Sequence, residues 1–426
     1  MSGKTMEWQQ QKVGFFPAFF NLAETSRLVR IAERYRELGG EAIFFSHGGD
    51  YERLAKEAGF SVQPVEPIYT EEQIQDLMKY DRGEKKGDPF SDAWLNDHIH
   101  NEEREYGNHA VSHVVTGFNL PCVLSVRKAR IPLVYIIPGS ILPAYFKAGF
   151  ATFPEEFENT FTRLLPDRLK NWIANWAWLH LKQSIGAFNR VAKRNGLQRL
   201  SGTLDLWTGD YTLVSDLKEA LSIPAKYDFP EKNYIGPLLA NLEIPLEDEI
   251  KNHLNRPGPK IYFAMGSSGN KELYLRILST LARTNYNVIA AYTNILNEDE
   301  LPSVEDNILI KKHIPAEAVN KRVDLAILHG GQGTIYTAAY SGKPMVGIPM
   351  QFEQQYNIDI LVRNGSAIRI SKRFFSEKEL LNAIESVLNN YSKYKMKASE
   401  LASRLPVVDG AQKGAERIKS IVKESI

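Results

Sequence analysis

The sequence lacks several features that would assign it to particular classes of protein. Only one cysteine, Cys122, occurs in 426 residues, which excludes an internal disulfide and fits a reducing compartment. The most apolar stretch, residues 131–146, is interrupted by proline and glycine and is too short to span a bilayer. Residues 1–12 lack the apolar core of a signal peptide. We therefore expect a cytoplasmic protein.

An excess of charge of either sign is also missing. The sequence has 52 Lys and Arg residues against 51 Asp and Glu residues, so its formal net charge is +1. No global electric field therefore favours nucleic acid as a partner. The apolar content of 43% and the charged content of 24% are typical of a soluble globular protein. A chain of this length is expected to form two domains.

The first half of the chain alternates apolar segments with amphipathic ones. Residues 26–38 and 51–59 have the pattern of helices that end at glycine, and residues 70–108 predict an irregular helical insertion. Six segments have the composition of buried strands: 12–16, 41–46, 60–67, 113–118, 132–137 and 211–216. This alternation is typical of a parallel, doubly wound α/β sheet.

A second series of strands follows a segment with four prolines, residues 233–260, which indicates a hinge. The predicted strands of this series are 261–265, 288–292, 308–312, 325–329, 345–349 and 367–370. We therefore predict a first domain over 1–237 and a second domain over 238–405. A last helix, within residues 406–426, is predicted over 411–424.

The most informative stretch of the chain is residues 329–357. A buried strand runs into His329-Gly330-Gly331-Gln332-Gly333-Thr334, where three glycines allow the backbone to approach a ligand closely. A helix is predicted to start near Thr334, and its free N–H groups and positive dipole end form an anion site. The competing interpretation is an ordinary strand–turn–helix unit of some other α/β protein.

The motif HGGxGT, followed by GxP, IP, an acidic residue with Gln, and Asn357, resembles the donor-binding signature of inverting, nucleotide-sugar-dependent glycosyltransferases of family 1. The resemblance implies the GT-B fold, in which two Rossmann-like domains face each other and the C-terminal helix crosses back onto the first domain. It also implies a nucleotide-sugar donor in the second domain, an acceptor in the first, and transfer without a metal or a separate cofactor.

The resemblance assigns the contacts to the nucleotide and its diphosphate. Gly266, Ser267 and Ser268 match a loop that binds the diphosphate. His313 stands where an aromatic residue stacks on the base, and the backbone of Ile314 would contact the edge of the base. Ala316 and Thr337 replace a Gln and a Glu that are usual at these positions, so UDP is the first expectation while TDP and GDP stay open.

The same resemblance assigns the remaining donor contacts. His329 would contact the donor phosphate, and the backbone N–H groups that follow Gly331 would surround the diphosphate; these belong to Gln332, Gly333 and Thr334. Glu353 and Gln354 match an Asp-Gln pair that binds the hydroxyl groups of the transferred sugar. Because Glu is one methylene longer than Asp, the sugar can differ from glucose.

The position of the catalytic base departs from the family pattern. Glu24 stands where the family has a His, and Gly117 stands where an Asp usually orients that His. The two changes are consistent with each other, because a Glu base would be repelled by a neighbouring Asp. They are equally consistent with a loss of catalysis, or with an acceptor that is already ionised. Glu24 could also simply complement a helix dipole.

Histidines and aromatic residues of the first half leave further alternatives open. His109 and His113 have a spacing that can bind zinc, but no cysteine is near and a role at the surface or in the acceptor cleft is preferred; one of the local histidines could also replace the base. The segments 15–20, 153–161 and 171–182 are rich in aromatics and could line a cleft for a small or lipid-like acceptor.

The segment 171–182 contains three tryptophans close to Lys170 and Lys182. We expect its helix to pack into the core of the first domain, with a shallow contact to a membrane as the alternative. Two other functions compete with glycosyl transfer. One is a nucleotide-sugar epimerase or hydrolase on the same fold, and the other is a catalytically degenerate protein that only binds a donor.

Overall fold

The computed structural model describes residues 11–81, 85, 87–239, 245–266, 269–293 and 295–425. Its first sheet has six parallel strands in the order β3-β2-β1-β4-β5-β6. The strands are β1 Lys12–Phe15, β2 Glu41–Ser46, β3 Val62–Pro64, β4 Val111–Thr116, β5 Leu133–Ile137 and β6 Tyr211–Val214. All six were predicted from their apolar composition.

The second sheet repeats this arrangement, with six parallel strands in the order β12-β11-β10-β7-β8-β9. Its strands are β7 Lys260–Ala264, β8 Asn287–Ala291, β9 Ile308–Lys311, β10 Leu325–Leu328, β11 Met345–Gly347 and β12 Ala367–Arg369. In both sheets the order reverses beside the first strand, between β1 and β4 and between β7 and β10. Ligands of open α/β sheets bind at this reversal, beyond the carboxyl ends of the strands.

Helices cover both faces of each sheet. Those of the first half are α1 Leu22–Glu37, α2 Glu52–Glu57, α3 Glu71–Asp81, α4 Asp92–Asn108, α5 Cys122–Ala129, α6 Pro143–Lys147, α7 Asp167–His180, α8 Gly186–Arg194 and α9 Lys218–Leu221. Those of the second half are α10 Asp248–Leu254, α11 Lys271–Ala282, α12 Ala316–Asn320, α13 Gln332–Tyr340, α14 Phe352–Asn364, α15 Glu377–Asn389, α16 Tyr391–Arg404 and α17 Gly410–Glu424.

Helix α1 begins four residues earlier than its periodicity predicts. The side chain of Asn21 accepts a hydrogen bond from the N–H of Glu24 at 3.1 Å and so caps the helix. The apolar stripe that starts at Leu28 then packs against the sheet. The early start matters for the site, because it places Glu24 in the first turn of a helix.

The prediction that residues 70–108 are helical is confirmed, but the expected irregularity is not. Helices α3 and α4 are regular, and α4 is capped by Ser91, whose hydroxyl accepts from the N–H of Trp94 at 3.2 Å. Among its many charged residues, helix α4 has an apolar side formed by Leu95, Ile99 and Tyr106, which are buried. The predicted hinge likewise contains a helix, α10.

The C-terminal helix α17 packs onto the first domain, as the resemblance implies. Ala415 and Ile418 belong to the same buried cluster as Leu28 and Ile31 of α1, and an ion pair of 3.3 Å joins Arg34 to Asp409 before α17. The core therefore consists of two sheets with their helices, and the last helix fastens the chain back to its first domain.

Candidate active site

A cleft of about 2030 Å³ separates the carboxyl ends of the two sheets. The predicted site residues that line it come from both domains: Glu24, Gly266, Ile314, His329, Gly331, Gln332, Gly333, Thr334, Glu353 and Gln354. His313 is exposed and does not line the cleft, whereas the next residue does. Ser267 and Ser268 lie outside the described residues. The cleft thus brings the predicted donor residues together with the predicted base.

The ring of His329 lies between two glycines. A Cβ atom at Gly266 would be 2.4 Å from Cε1 of the imidazole, and one at Gly331 would be 2.5 Å from Nε2. Burial lowers the pKa of His329 to about 4. At neutral pH the imidazole is therefore uncharged, and it would meet a phosphate as a hydrogen-bonding group rather than as a cation.

Helix α13 begins at Gln332, with Gly331 as its N-cap and without a side-chain cap. The prediction that it begins near Thr334 is wrong by two residues, because the Thr334 hydroxyl donates back to the carbonyl of Gly331 at 2.7 Å instead of capping the helix. The amides of Gln332 and Gly333 consequently face the cleft uncapped at the positive end of the dipole.

The side chain of Gln332 ties this turn to the first domain. Its Nε2 donates to the carbonyl of Ser215 at 2.9 Å and to Oδ1 of Asp216 at 3.0 Å. The other oxygen of Asp216 accepts from the N–H of Gly139 at 2.6 Å. Sequence reasoning missed Asp216, although it is the last residue of the predicted strand 211–216 and carries a carboxyl group.

The carboxyl group of Glu353 is held by a neighbour on the same helix. Asn357 donates through Nδ2 to Oε1 of Glu353 at 3.2 Å and also to the carbonyl of Gly330 at 3.2 Å. Ser140 of the first domain donates to Oδ1 of Asn357 at 2.7 Å, which fixes the orientation of the amide. Burial raises the pKa of Glu353. A residue of the first domain thus helps to position a predicted sugar contact.

Further partly buried hydrogen bonds attach helix α14 to the first domain. Gln355 donates to the carbonyl of Phe153 at 2.9 Å, Trp178 donates to the hydroxyl of Tyr356 at 2.7 Å, and Thr152 donates to Asp359 at 2.5 Å. Gln354, at the start of the same helix, accepts from the N–H of Met350 at 2.8 Å. The first turn of α14, which carries the predicted sugar contacts, is therefore fixed from both domains.

Glu24 and Gly117 are in direct contact on the opposite wall of the cleft. The carboxylate accepts from the N–H of Ala18 at 3.1 Å and from the N–H of Gly117 at 2.9 Å. A Cβ atom at Gly117 would lie 3.0 Å from Cγ of Glu24, so any side chain at this position would require Glu24 to shift. The missing side chain at 117 therefore makes room for the carboxyl group of Glu24.

Burial raises the pKa of Glu24 to about 7, against the lowering effects of the backbone N–H groups and of the charge of Arg27. This value is suited to a general base near neutral pH. It also means that the carboxyl group exchanges its proton within the physiological range.

Arg27 lines the same cleft and was missed by sequence reasoning. Its positive charge opposes the burial that raises the pKa values of Glu24, Asp216 and Glu353. Within the described residues its guanidinium makes no ion pair and no hydrogen bond. The signal was present in the sequence, because a residue three positions after Glu24 lies on the same side of a helix.

The histidines of the first domain lie elsewhere. His98 bonds to the hydroxyl of Tyr69 at 2.8 Å, and His113 bonds to Ser425 at 3.1 Å; neither lines the cleft. His109 and His113 do not lie one turn apart on a helix, as zinc binding by this spacing would require. His109 is the C-cap of helix α4, whereas His113 belongs to β4. The described residues contain no group of three or more metal-ligating side chains.

The aromatic segments are divided between the interior and the surface. Phe20 lines the cleft, and Trp178 packs inward against Phe352 with ring centroids 5.0 Å apart. Trp172 and Trp176, in contrast, are exposed, so the expectation of a helix packed into the core holds for one side of α7 only. Within the described residues, no helix combines the length and the apolar character needed to cross a membrane.

Comparison with known proteins places this geometry in a family. Residues 167–408 match the sequence model of the family described as "UDP-glucoronosyl and UDP-glucosyl transferase". A PGL/p-HBAD biosynthesis glycosyltransferase of Mycobacterium tuberculosis is 29% identical over 217 residues, which cover 50% of this chain and 49% of the relative. UDP-glucuronosyltransferase 2B15 of Rattus norvegicus is 26% identical over 270 residues, covering 60% and 47%. The matches thus span about half the length of these relatives.

The solved structure of CalG4, the calicheamicin glycosyltransferase, superposes with a TM-score of 0.67 at 16% identity, covering 98% of this chain and 99% of the other. This likeness confirms the predicted GT-B fold.

Proposed function

Because this chain belongs to the family of UDP-glucuronosyl and UDP-glucosyl transferases, we propose that it transfers a sugar from a nucleotide-diphosphate donor to an acceptor hydroxyl, with inversion at the anomeric carbon. UDP is the proposed nucleotide, and the acceptor is a small or lipid-like molecule. The observation that carries the proposal is the cleft itself, since the donor motif lines one wall and Glu24 lines the other.

The donor diphosphate would bind at the start of α13. The uncapped amides of Gln332 and Gly333 offer hydrogen bonds and the positive end of a helix dipole, and the neutral ring of His329 adds a further polar group. These groups would stabilise the charge that develops on the leaving diphosphate. Glu353 and Gln354 would bind the hydroxyl groups of the sugar.

Glu24 would act as the general base. Its carboxylate takes the proton of the acceptor hydroxyl while the acceptor oxygen forms a bond to the anomeric carbon. The bond between that carbon and the diphosphate oxygen breaks on the opposite face, and the nucleoside diphosphate leaves with the electron pair. A base whose pKa lies near 7 is matched to this proton transfer.

Calorimetric titration with UDP, TDP and GDP, without added metal, tests the donor site. We expect micromolar binding of UDP and weaker binding of the other two nucleotides. Incubation with UDP-sugars and a panel of alcohols and phenols then tests transfer, with product masses as the readout. Sugar released without an acceptor would instead indicate a hydrolase, and no binding by any nucleotide would contradict the donor site.

One observation favours a second candidate, a protein that binds the donor without transferring the sugar. Both oxygens of Glu24 accept backbone hydrogen bonds, so the carboxylate also anchors the loop before α1 and the turn after β4. If this were its only role, nucleotide binding would be intact while no acceptor in the panel would be glycosylated.

A further inference from the structure

Large apolar side chains that face solvent are concentrated in one short part of the chain. Six of the eleven such residues in the described structure lie between positions 157 and 176, and their exposure ranges from 43% at Leu169 to 81% at Leu164. The six are Phe157, Phe161, Leu164, Leu169, Trp172 and Trp176. Exposed large apolar residues that are grouped in this way indicate an interaction site.

Hydrogen bonds hold one side of helix α7 against the rest of the protein, and its apolar residues face solvent on the opposite side. Leu169, Trp172 and Trp176 follow the spacing i, i+3, i+7 and therefore share one side of the helix. On the other side, Asn175 donates to the carbonyl of Ala151 at 2.7 Å, and Trp178 donates to Tyr356 at 2.7 Å. The tryptophans that face outward are thus displayed by a helix that is fixed in place.

Positive charge accompanies the exposed apolar residues. Both acidic residues between 157 and 182, Glu158 and Asp167, pair with Lys170 at 2.8 Å and 3.0 Å. Arg163, Arg168 and Lys182 are exposed, and within the described residues none of them forms an ion pair, although the Arg163 guanidinium lies over the Phe374 ring and its charge favours the ionised form of Glu379. Residues 157–182 therefore combine four exposed aromatic rings with three exposed cations that form no ion pair.

We propose that this surface, residues 157–182, docks on an anionic lipid bilayer. Aromatic rings with a polar edge and long basic side chains are the residues that occupy the boundary between lipid and water, and the exposed cations of this surface complement anionic headgroups. A second copy of this chain fits less well, because a two-fold contact would bring these cations against each other.

Docking would bring the cleft close to the lipid. The inner side of α7 contacts Phe352 through Trp178, and Phe352 directly precedes Glu353, a predicted sugar contact. An acceptor with an apolar tail could then reach the cleft from the bilayer. This last consequence rests on the proposed glycosyl transfer, whereas the docking itself does not.

Vesicle flotation of the full chain tests the proposal, with phosphatidylcholine vesicles compared with vesicles that contain phosphatidylserine. We expect binding to the anionic vesicles that weakens with salt. The double variant W172S/W176S should lose at least tenfold in partitioning, and R163Q/R168Q/K182Q should lose the preference for anionic lipid. The matched control is Met396→Ser, at an exposed apolar residue on α16, which should bind as the native chain does.

Two further measurements keep the outcomes distinct. Melting temperature and UDP affinity are recorded for each variant, so that loss of flotation with an intact fold and nucleotide site reports on the docking surface alone. Equal flotation of the native chain and W172S/W176S would overturn the proposal. A native dimer in sedimentation that the same substitutions dissociate, without vesicle binding, would assign the surface to a second copy and also overturn it.

Discussion

The two domains share a strand order, but their buried titratable groups follow different strands of the pair at which that order reverses. In the first sheet, Glu24 follows β1 and Gly117 after β4 makes room for it; in the second, Gly266 after β7 makes room for His329 after β10. In both halves a missing side chain lets a buried group settle at the reversal of strand order.

Burial favours the neutral form in both cases, and it moves the two pKa values in opposite directions. It raises the pKa of Glu24 to about 7 and lowers that of His329 to about 4. Of these two groups, only Glu24 titrates near neutral pH. The first domain is therefore suited to proton transfer, and the second to binding an anion with neutral donors.

The largest effect is expected from Glu24→Gln, which removes the proposed base. Transfer should fall by roughly 10²–10⁴-fold, the usual contribution of a general base, while UDP affinity stays within about twofold of native. Turnover and calorimetric titration check this pair of results. Glu33→Gln, on the same helix but away from the cleft, is the control; full turnover in Glu24→Gln would remove Glu24 from the mechanism.

Gly333→Ala separates ligand contact from protein packing in the second domain. A Cβ atom at Gly333 meets no protein atom within 4 Å, so the fold should be unaffected, but the methyl group would project where the diphosphate is proposed to bind. We expect UDP affinity to fall about tenfold, which is about 1.4 kcal/mol. Gly107→Ala, another helical glycine without a close neighbour, is the control. Native UDP affinity in Gly333→Ala would place the diphosphate elsewhere.

Gly117→Ala makes the corresponding test in the first domain. The new Cβ atom would press on Cγ of Glu24, which should displace the carboxyl group and lower turnover roughly tenfold, equivalent to about 1.4 kcal/mol in the barrier. Overpacking should also lower the free energy of unfolding by about 1–3 kcal/mol. UDP affinity, measured by calorimetry, should not change. A loss of UDP affinity together with turnover would show that the Glu24 wall and the proposed donor wall of the cleft do not act independently.

The smallest effect is expected from Ser140→Ala, which tests whether the first domain helps to bind the donor sugar. Without the Ser140 hydroxyl, Asn357 loses one of the bonds that orient its amide toward Glu353. A neutral hydrogen bond contributes about 1 kcal/mol, so KM for the UDP-sugar should rise roughly fivefold. Affinity for UDP, which lacks the sugar, is the internal control, and an unchanged KM would argue against this positioning role.

The wall of the cleft that carries the proposed donor motif could be predicted because its geometry is local. The strand, the glycine turn and the helix over 325–340 are adjacent in sequence, and their residue types restrict the backbone directly. Even there the first residue of α13 was misplaced, since the N-cap Gly331 has no side chain that marks the start of the helix. His313 matched a pattern position, but its exposure depends on how the loop after β9 turns.

The opposite wall depends on contacts between distant segments. Glu24 meets Gly117 only because β1 and β4 are neighbours, and Gln332 reaches Asp216 only because the two domains pack against each other. Residue patterns identified Glu24 and Gly117 but contained no information on Ser140. Its proposed role follows from the packing of α14 against the first domain. The charged composition indicated helix over 70–108 but not the regularity of the two helices found there.

The pH dependence of kcat/KM for an aliphatic alcohol acceptor, at saturating donor, tests the account most directly. Such a hydroxyl does not ionise between about pH 5 and pH 9, so the profile reports the base in the enzyme–donor complex before the acceptor binds. Because Glu24 must be deprotonated to act and burial favours its protonated form, activity should fall tenfold per pH unit below about pH 7 and level off above it. A flat profile between about pH 5 and pH 9 would contradict Glu24 as the base.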